Sequence, residues 1–153
     1  MLPNYLIRKA NYADIQDLSH LLSDLFSIEN DFTPNDVLQK RGLEMLLQDP
    51  ENRCIYVAEL NHRIIGMVTC QILISTAEGG PSALIEDLIV EKEQRGNGLG
   101  KRLLDRIEQW AAEKGARRFQ LLADKNNTPA LDFYKKNSWH GTQLICLRKN
   151  QNL

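Results

Sequence analysis

Two β-rich runs, CIYVAEL (54–60) and RIIGMVTCQILI (63–74), stand in the middle of the chain with only Asn61-His62 between them. A two-residue link joins strands as an antiparallel hairpin, because a parallel return needs a crossover of a dozen residues or more. Any fold open to this chain is therefore built around that ribbon. A lone hairpin is marginal in water, so further strands and helices must complete it.

The flanking sequence supplies them. YLIRKA (5–10) reads as a first strand, and Asn11 with Asp14 three residues on reads as a capping box. Ile15, Leu18, Leu21, Leu22 and Leu25 follow helical spacing, and Pro34 opens a second helix to about Leu47, which QDPEN breaks. STAEGGPS (75–82) reads as a loop and ALIEDLIV (83–90) as another strand. A helix follows with Leu99, Leu103, Leu104, Ile107 and Ala111 on one stripe, ended by Gly115. RFQLLA (118–123) reads as a strand. Thr128 is expected to cap a short helix with Pro129 at its first position, and QLICLRK (143–149) to form a closing strand. The order β-α-α-β-β-β-α-β-α-β predicts an α/β fold of the α+β type, with about four helices around a mixed, largely antiparallel sheet. No linker, repeat or low-complexity segment divides the 153 residues, so one domain over 1–153 is expected.

Composition narrows the function. The formal net charge is −1, no apolar run reaches transmembrane length, and the N-terminus lacks the basic and apolar regions of a signal peptide. Nothing points to nucleic acid or a membrane, and a cytoplasmic location is expected. Cys54, Cys70 and Cys146 are odd in number, lie in apolar strand-like contexts and read as reduced core residues. The three histidines are scattered, so no metal is expected. The charge is unevenly spread: residues 1–50 carry eight acids and four bases, 51–94 seven and three, and 95–153 five and twelve. The basic third begins at a glycine-rich loop, which favours an anionic ligand there.

That loop, EQRGNGLGKRLL (93–104), follows a strand and opens a helix, where backbone N–H groups and the helix dipole converge on phosphate. It is not a P-loop, because Arg102 follows Gly100-Lys101 and Arg95 stands where the first glycine belongs. It is not a dinucleotide fingerprint either, since Lys101 or Leu103 occupies the place of the third glycine. Arg95-Gly96-Asn97-Gly98-Leu99-Gly100 does fit [Gln/Arg]-x-x-Gly-x-[Gly/Ala]. With LIV (88–90) upstream and NNTPALDFYKKNSW (126–139) downstream, the sequence resembles the GNAT superfamily of acyl-CoA-dependent N-acyltransferases over residues 84–139. Lys92 stands where a proline is common, and Ser138 where a glycine is common.

The resemblance implies an enzyme that moves the acetyl group of acetyl-CoA to a primary amine of a small molecule or peptide, by direct attack in a ternary complex. Gly96, Gly98 and Gly100, with Asn97 and Leu99 between them, would bring backbone N–H groups to the pyrophosphate, and Arg95 and Lys101 would add charge. Backbone groups of Leu88, Ile89 and Val90 would pair with the pantetheine arm and polarise the thioester carbonyl. Asn127 would bond the cosubstrate's amides. Glu86 stands at the family's base position, commonly acting through water; Asp87 is implied as acceptor holder and Tyr134 as general acid beside the cosubstrate. Read from the residues alone, Glu86 and Asp87 are charges in an apolar strand, costly unless used or paired, and strand alternation points them to opposite faces. An ion pair with a neighbouring Arg or Lys is the competing account of both. The acidic stretch over about 13–48 would wall the acceptor site and favours a cationic amine. A homodimer is compatible with this reading. A non-catalytic acyl-CoA-binding or sensor domain of the same fold is the alternative, although it would need neither Glu86 nor Tyr134.

Overall fold

In a computed structural model the chain is described over residues 3–151 and divides into two compact units, one ending at Leu121 and one beginning at Leu122. The first unit is a five-stranded sheet in the order β1 (Leu6–Lys9), β2 (Arg53–Leu60), β3 (Arg63–Ser75), β4 (Gly80–Val90) and β5 (Phe119–Leu121). All neighbouring strands are antiparallel except β4 and β5. The central hairpin is as expected: Asn61 and His62 both take left-handed φ, 50° and 63°, the requirement of a tight turn that matches strand twist. Helices α1 (Ile15–Ile28), α2 (Asp36–Leu47) and α3 (Leu99–Glu113) complete this unit.

Local chemistry sets the helix starts. The Asn11 side chain accepts from Ala13 N–H at 2.9 Å, and the Asp14 carboxylate accepts from Asn11 N–H at 2.8 Å, completing the box. Asp14 also receives both terminal nitrogens of Arg8, at 2.8 and 2.9 Å, while Arg8 Nε reaches Glu59 at 2.6 Å. Burial raises the Asp14 carboxyl, but these hydrogen bonds outweigh it and leave the group below its ordinary value. The start of α1 is thereby tied to β1 and β2. Asn35 caps α2 by accepting from Leu38 N–H. The two helices are then locked by Gln39, whose amide nitrogen donates to Ser19 O, Ser19 Oγ and Ser23 Oγ at 2.9–3.1 Å.

The helices sandwich the sheet. Leu18, Leu21 and Leu22 of α1 and Leu43 of α2 are buried with Ile55, Val57, Met67 and Ile89. Strand residues of the other parity meet α3: Arg106 lies over the Tyr56 ring, and a Cβ on Gly66 would stand 3.1 Å from Leu103. Glycine at 66 therefore lets α3 close on the strand. Trp110 joins the expected α3 stripe as a sixth buried residue.

The structure corrects several expectations. β3 and β4 pair out to Ser75 and Gly80, so most of 75–82 is hairpin rather than loop. β5 is confined to Phe119–Leu121. In the second unit α4 (Thr128–Lys136) is capped by Asn127, not Thr128; Asn127 Oδ1 accepts from Ala130 N–H at 3.2 Å. Residues 143–149 form no strand, and Leu144, Ile145 and Leu147 are 80–86% exposed. A run of β-favouring residues makes a strand only where another strand offers its edge, which propensity does not supply. Cys146, in the same segment, is exposed rather than core. Cys54 and Cys70 are buried opposite one another across β2 and β3, and burial pushes their thiols up to about 11 and about 12.

Candidate active site

β4 organises the first unit's candidate residues, and a bulge decides how it presents them. Met67 pairs with Ile89 and Thr69 with Glu86, so one residue of β3 stands opposite two of β4. Asp87, within the bulge, has φ 52°. A non-glycine residue seldom takes that conformation, and Asp is among those that tolerate it best. The consequence overturns the alternation argument: Glu86 and Asp87 do not face opposite sides but both line one cavity of about 480 Å³ beneath α1 and α2. Thr69 Oγ1 donates to Asp87 at 3.1 Å. Neither carboxylate makes an ion pair among the described residues, which removes the competing structural account. Burial foremost, then the charge of Glu86, pushes the Asp87 carboxyl up to about 6 against the Thr69 bond. Glu86 is exposed to the cavity mouth.

Further along β4 the sheet opens. Its parallel pairing with β5 stops at Ile85 and Leu121, so the edge formed by Glu86 to Val90 runs on without β5 beside it. Leu88 is half-buried; Ile89 and Val90 send their side chains into the core, leaving backbone as the polar surface of this stretch.

The strand then enters the glycine loop. Gly96 and Gly98 have φ 82° and 76°, and a Cβ on either would meet nothing within 4 Å. No packed neighbour demands glycine here; the backbone faces open space. Gly98 caps α3 with no side-chain hydrogen bond to the helix, and the first turn holds no acidic residue. The early N–H groups of α3 are thus offered outward, the arrangement an anion requires. Leu99 buries its side chain, so only its backbone can serve a ligand. Arg95 Nε closes the loop by donating to Val90 O at 2.8 Å, and Lys101 pairs with Asp105 at 2.5 Å. Tyr5, absent from the sequence-based candidates, braces the loop: its hydroxyl donates to Gln94 at 3.0 Å and accepts from Asn97 at 3.4 Å, and its carbonyl accepts from Arg102 at 3.3 Å. No local motif marks that tyrosine, because its partners lie about ninety residues away.

Asn127 and Tyr134 belong to the second unit. Asn127 spends its carbonyl oxygen on the α4 cap, which leaves its amide N–H₂ for a ligand. The Tyr134 ring is half-buried, edge-on to Phe133 at 5.3 Å and to Trp139 at 6.1 Å. Ser138 takes φ 70°, and its N–H and that of Trp139 donate to the carbonyls of Lys135 and Tyr134 at 3.2 and 2.9 Å. This is the left-handed helix ending for which glycine is preferred, realised here with serine.

Comparison with known proteins agrees with this architecture. The model of the Acetyltransferase (GNAT) family matches residues 15–139, and the chain belongs to that family. An uncharacterized N-acetyltransferase of Methanocaldococcus jannaschii is 23% identical over 146 residues, 95% of this chain and 65% of that protein, so the chain spans about two thirds of that relative's length. Among solved structures, an aminoglycoside acetyltransferase from an uncultured soil metagenomic sample, in complex with trehalose, superposes with a TM-score of 0.79 at 27% identity over 97% of each chain. A predicted acetyltransferase from Clostridium acetobutylicum with acetyl-CoA gives a TM-score of 0.78 at 25% identity, covering 95% of this chain and 96% of that one.

Proposed function

We propose that this chain transfers the acetyl group of acetyl-CoA to a primary amine by direct attack in a ternary complex. The observation that carries the reading is the succession along one strand: two unpaired carboxylates at a cavity, an open backbone edge, then a loop whose Gly96 and Gly98 border open space and which opens α3 without a side-chain cap. Acetyl-CoA supplies the activated thioester. The loop from Arg95 to Lys101 binds its pyrophosphate, and the Leu88–Val90 edge hydrogen-bonds its pantetheine arm.

Asp87, fixed by Thr69, holds the acceptor ammonium, whose positive charge favours the ionised carboxylate. Glu86, at the cavity mouth, takes the amine's proton directly or through a water. A backbone N–H of the open edge donates to the oxyanion as the amine nitrogen bonds to the carbonyl carbon. Tyr134 hydrogen-bonds sulfur as the carbon–sulfur bond breaks, and the second proton of the attacking nitrogen passes through its hydroxyl to the departing sulfur, so CoA leaves as the thiol and the phenol is regenerated. Glu86 returns its proton to solvent, so the acetylated amine, free CoA and one released proton balance the ammonium and acetyl-CoA that entered.

Release of free thiol from acetyl-CoA over a panel of primary amines tests this. Amine-dependent release is expected, with Glu86→Gln depressing kcat/KM most near neutral pH and less at high pH, where more of the acceptor is already neutral. If acetyl-CoA binds yet no amine raises thiol release, the chain is an acyl-CoA-binding module instead.

A further inference from the structure

The cavity beneath α1 and α2 says more about the acceptor than that it is an amine. Its carboxylates stand together, Glu86 beside Asp87, and Glu29 is near enough to add to the negative field at Asp87. The rest of the lining is largely apolar. The Phe26 and Phe32 rings meet at 5.4 Å, tilted by 46°, and Phe32, Leu38 and Met45 remain 47–56% exposed around the opening. Large apolar side chains gathered at a concave surface are a feature of ligand sites.

Part of the polar lining is already occupied. Gln39 spends its amide on Ser19, Ser23 and the Asn35 N–H, and Asn35 uses its carbonyl oxygen to cap α2. The Asn35 N–H₂, Thr33 and Gln71 are left to meet a few hydroxyls. The one cation in the lining is Arg53, whose guanidinium donates to Met45 O at 3.1 Å. An acceptor with several ammonium groups would place those beyond the reach of the carboxylates against the aliphatic Leu38 and Met45 or the Arg53 charge. A polyhydroxylated acceptor would carry more hydroxyls than Asn35, Thr33 and Gln71 can meet. Both are costly.

Building on the acetyl-transfer reading, we infer that the acceptor is a primary monoamine on an apolar alkyl or aryl body, its ammonium at Glu86 and Asp87 and its body against Phe26, Phe32, Leu38 and Met45. The discriminating experiment measures kcat/KM by thiol release with saturating acetyl-CoA for propylamine, hexylamine, phenethylamine, spermidine, a lysine-containing peptide and the aminoglycoside sisomicin. Hexylamine and phenethylamine should exceed spermidine, the peptide and sisomicin by at least about tenfold. From propylamine to hexylamine the value should climb by up to about fourfold per methylene, the ratio equivalent to ~0.8 kcal/mol per buried CH₂. Leu38→Asp, at an exposed position, should erase that climb while leaving the thermal shift given by acetyl-CoA unchanged. Preference for spermidine, the peptide or sisomicin, or indifference to alkyl length, overturns the monoamine assignment and leaves acetyl transfer standing. No turnover with any of the six by a protein that still binds acetyl-CoA overturns the transfer reading itself, and the assignment with it.

Discussion

Beyond Val90 the groups the chain can offer a ligand are chiefly backbone N–H groups of a glycine loop, with the Arg95 and Lys101 charges beside them; a few residues earlier, at Glu86 and Asp87, they are side chains. The first kind is fixed by conformation. Gly96 and Gly98 hold left-handed φ and point no Cβ at the space in front of α3. The second is fixed by a bulge that aims two carboxylates at one cavity, under walls lent by helices far away in sequence. A backbone site suits a cosubstrate that never changes. A side-chain site can be re-specified by exchanging a few wall residues, so identity of fold with an aminoglycoside acetyltransferase says little about what this cavity accepts.

The sharpest way to break that contrast is Gly98→Asn. Left-handed φ by itself does not require glycine in this protein, because Asn61, His62, Asp87 and Ser138 all adopt it. Asparagine tolerates the conformation and would meet no neighbour, so the variant should fold with little loss of stability. If the space in front of the loop belongs to acetyl-CoA, the new side chain occupies it. The thermal shift from acetyl-CoA, ~2.7 kcal/mol of stabilisation at a hundredfold excess over Kd, should vanish, and kcat/KM should fall by at least about a hundredfold. A full shift in the variant would remove the loop from the cosubstrate site.

Tyr134→Phe is next in size. An ordinary phenol (pKa near 10) is a weaker acid than a thiol (about 8.5), so in the proposed reaction the hydroxyl would help by hydrogen-bonding sulfur while the bond breaks rather than by protonating a free thiolate from its own proton. General acids of this kind contribute ~10²–10⁴-fold, and kcat should drop at least about tenfold with acetyl-CoA affinity and Tm nearly unchanged. A variant with normal kcat but lowered Tm would make Tyr134 a packing residue, as its edge contacts with Phe133 and Trp139 allow.

The contrast also accounts for what could be read in advance. The hairpin at Asn61-His62, the Asn11–Asp14 box and the glycine loop are each written in a few adjacent residues, because each solves a local backbone problem. The cavity is not. Its apolar members Phe32, Leu38 and Met45 look in sequence like ordinary exposed positions of a helix and a loop, and Gln39 shows its role only once α1 packs against α2. Asp87 misled for a related reason: alternation holds only along a regular strand, and the sequence ALIEDLIV carries no sign of the bulge. At 143–149 alternating β-favouring residues suggested a strand, yet the partner a strand needs is not a property of the segment.

Asp87→Asn probes the side-chain end, with two effects. Asp87 titrates near 6 in the folded chain against about 3.8 unfolded, so the native state binds more protons between those values and stability declines as pH rises through that window. A shift of about two units corresponds to on the order of 2–3 kcal/mol lost by pH 7. Asparagine can still accept from Thr69 and suits the left-handed φ. The variant should therefore match the parent below about pH 4 and be more stable above pH 6, with the acceptor KM raised about tenfold. For the parent, KM should rise as pH falls through about 6. Identical denaturation profiles for the two proteins from pH 4 to 7 would remove the burial cost assigned to this carboxylate.

The smallest effect returns to backbone coding. Ser138 ends α4 with φ 70°, close to the 76° of Gly98, yet one position carries a side chain and the other does not. At Ser138 the conformation serves only the hydrogen bonds that close the helix, from Ser138 and Trp139 N–H to Lys135 and Tyr134. The exposed side chain costs only the usual left-handed penalty, about 1 kcal/mol. Ser138→Gly should recover most of that as a small rise in Tm, offset by the added freedom of the unfolded chain, with no change in kcat or in the acetyl-CoA shift. Set beside Gly98→Asn, it separates the two reasons for glycine. One substitution changes stability and spares function; the other spares stability and abolishes binding. If Ser138→Gly instead changed kcat, the end of α4 would have to be counted with the site rather than with the scaffold.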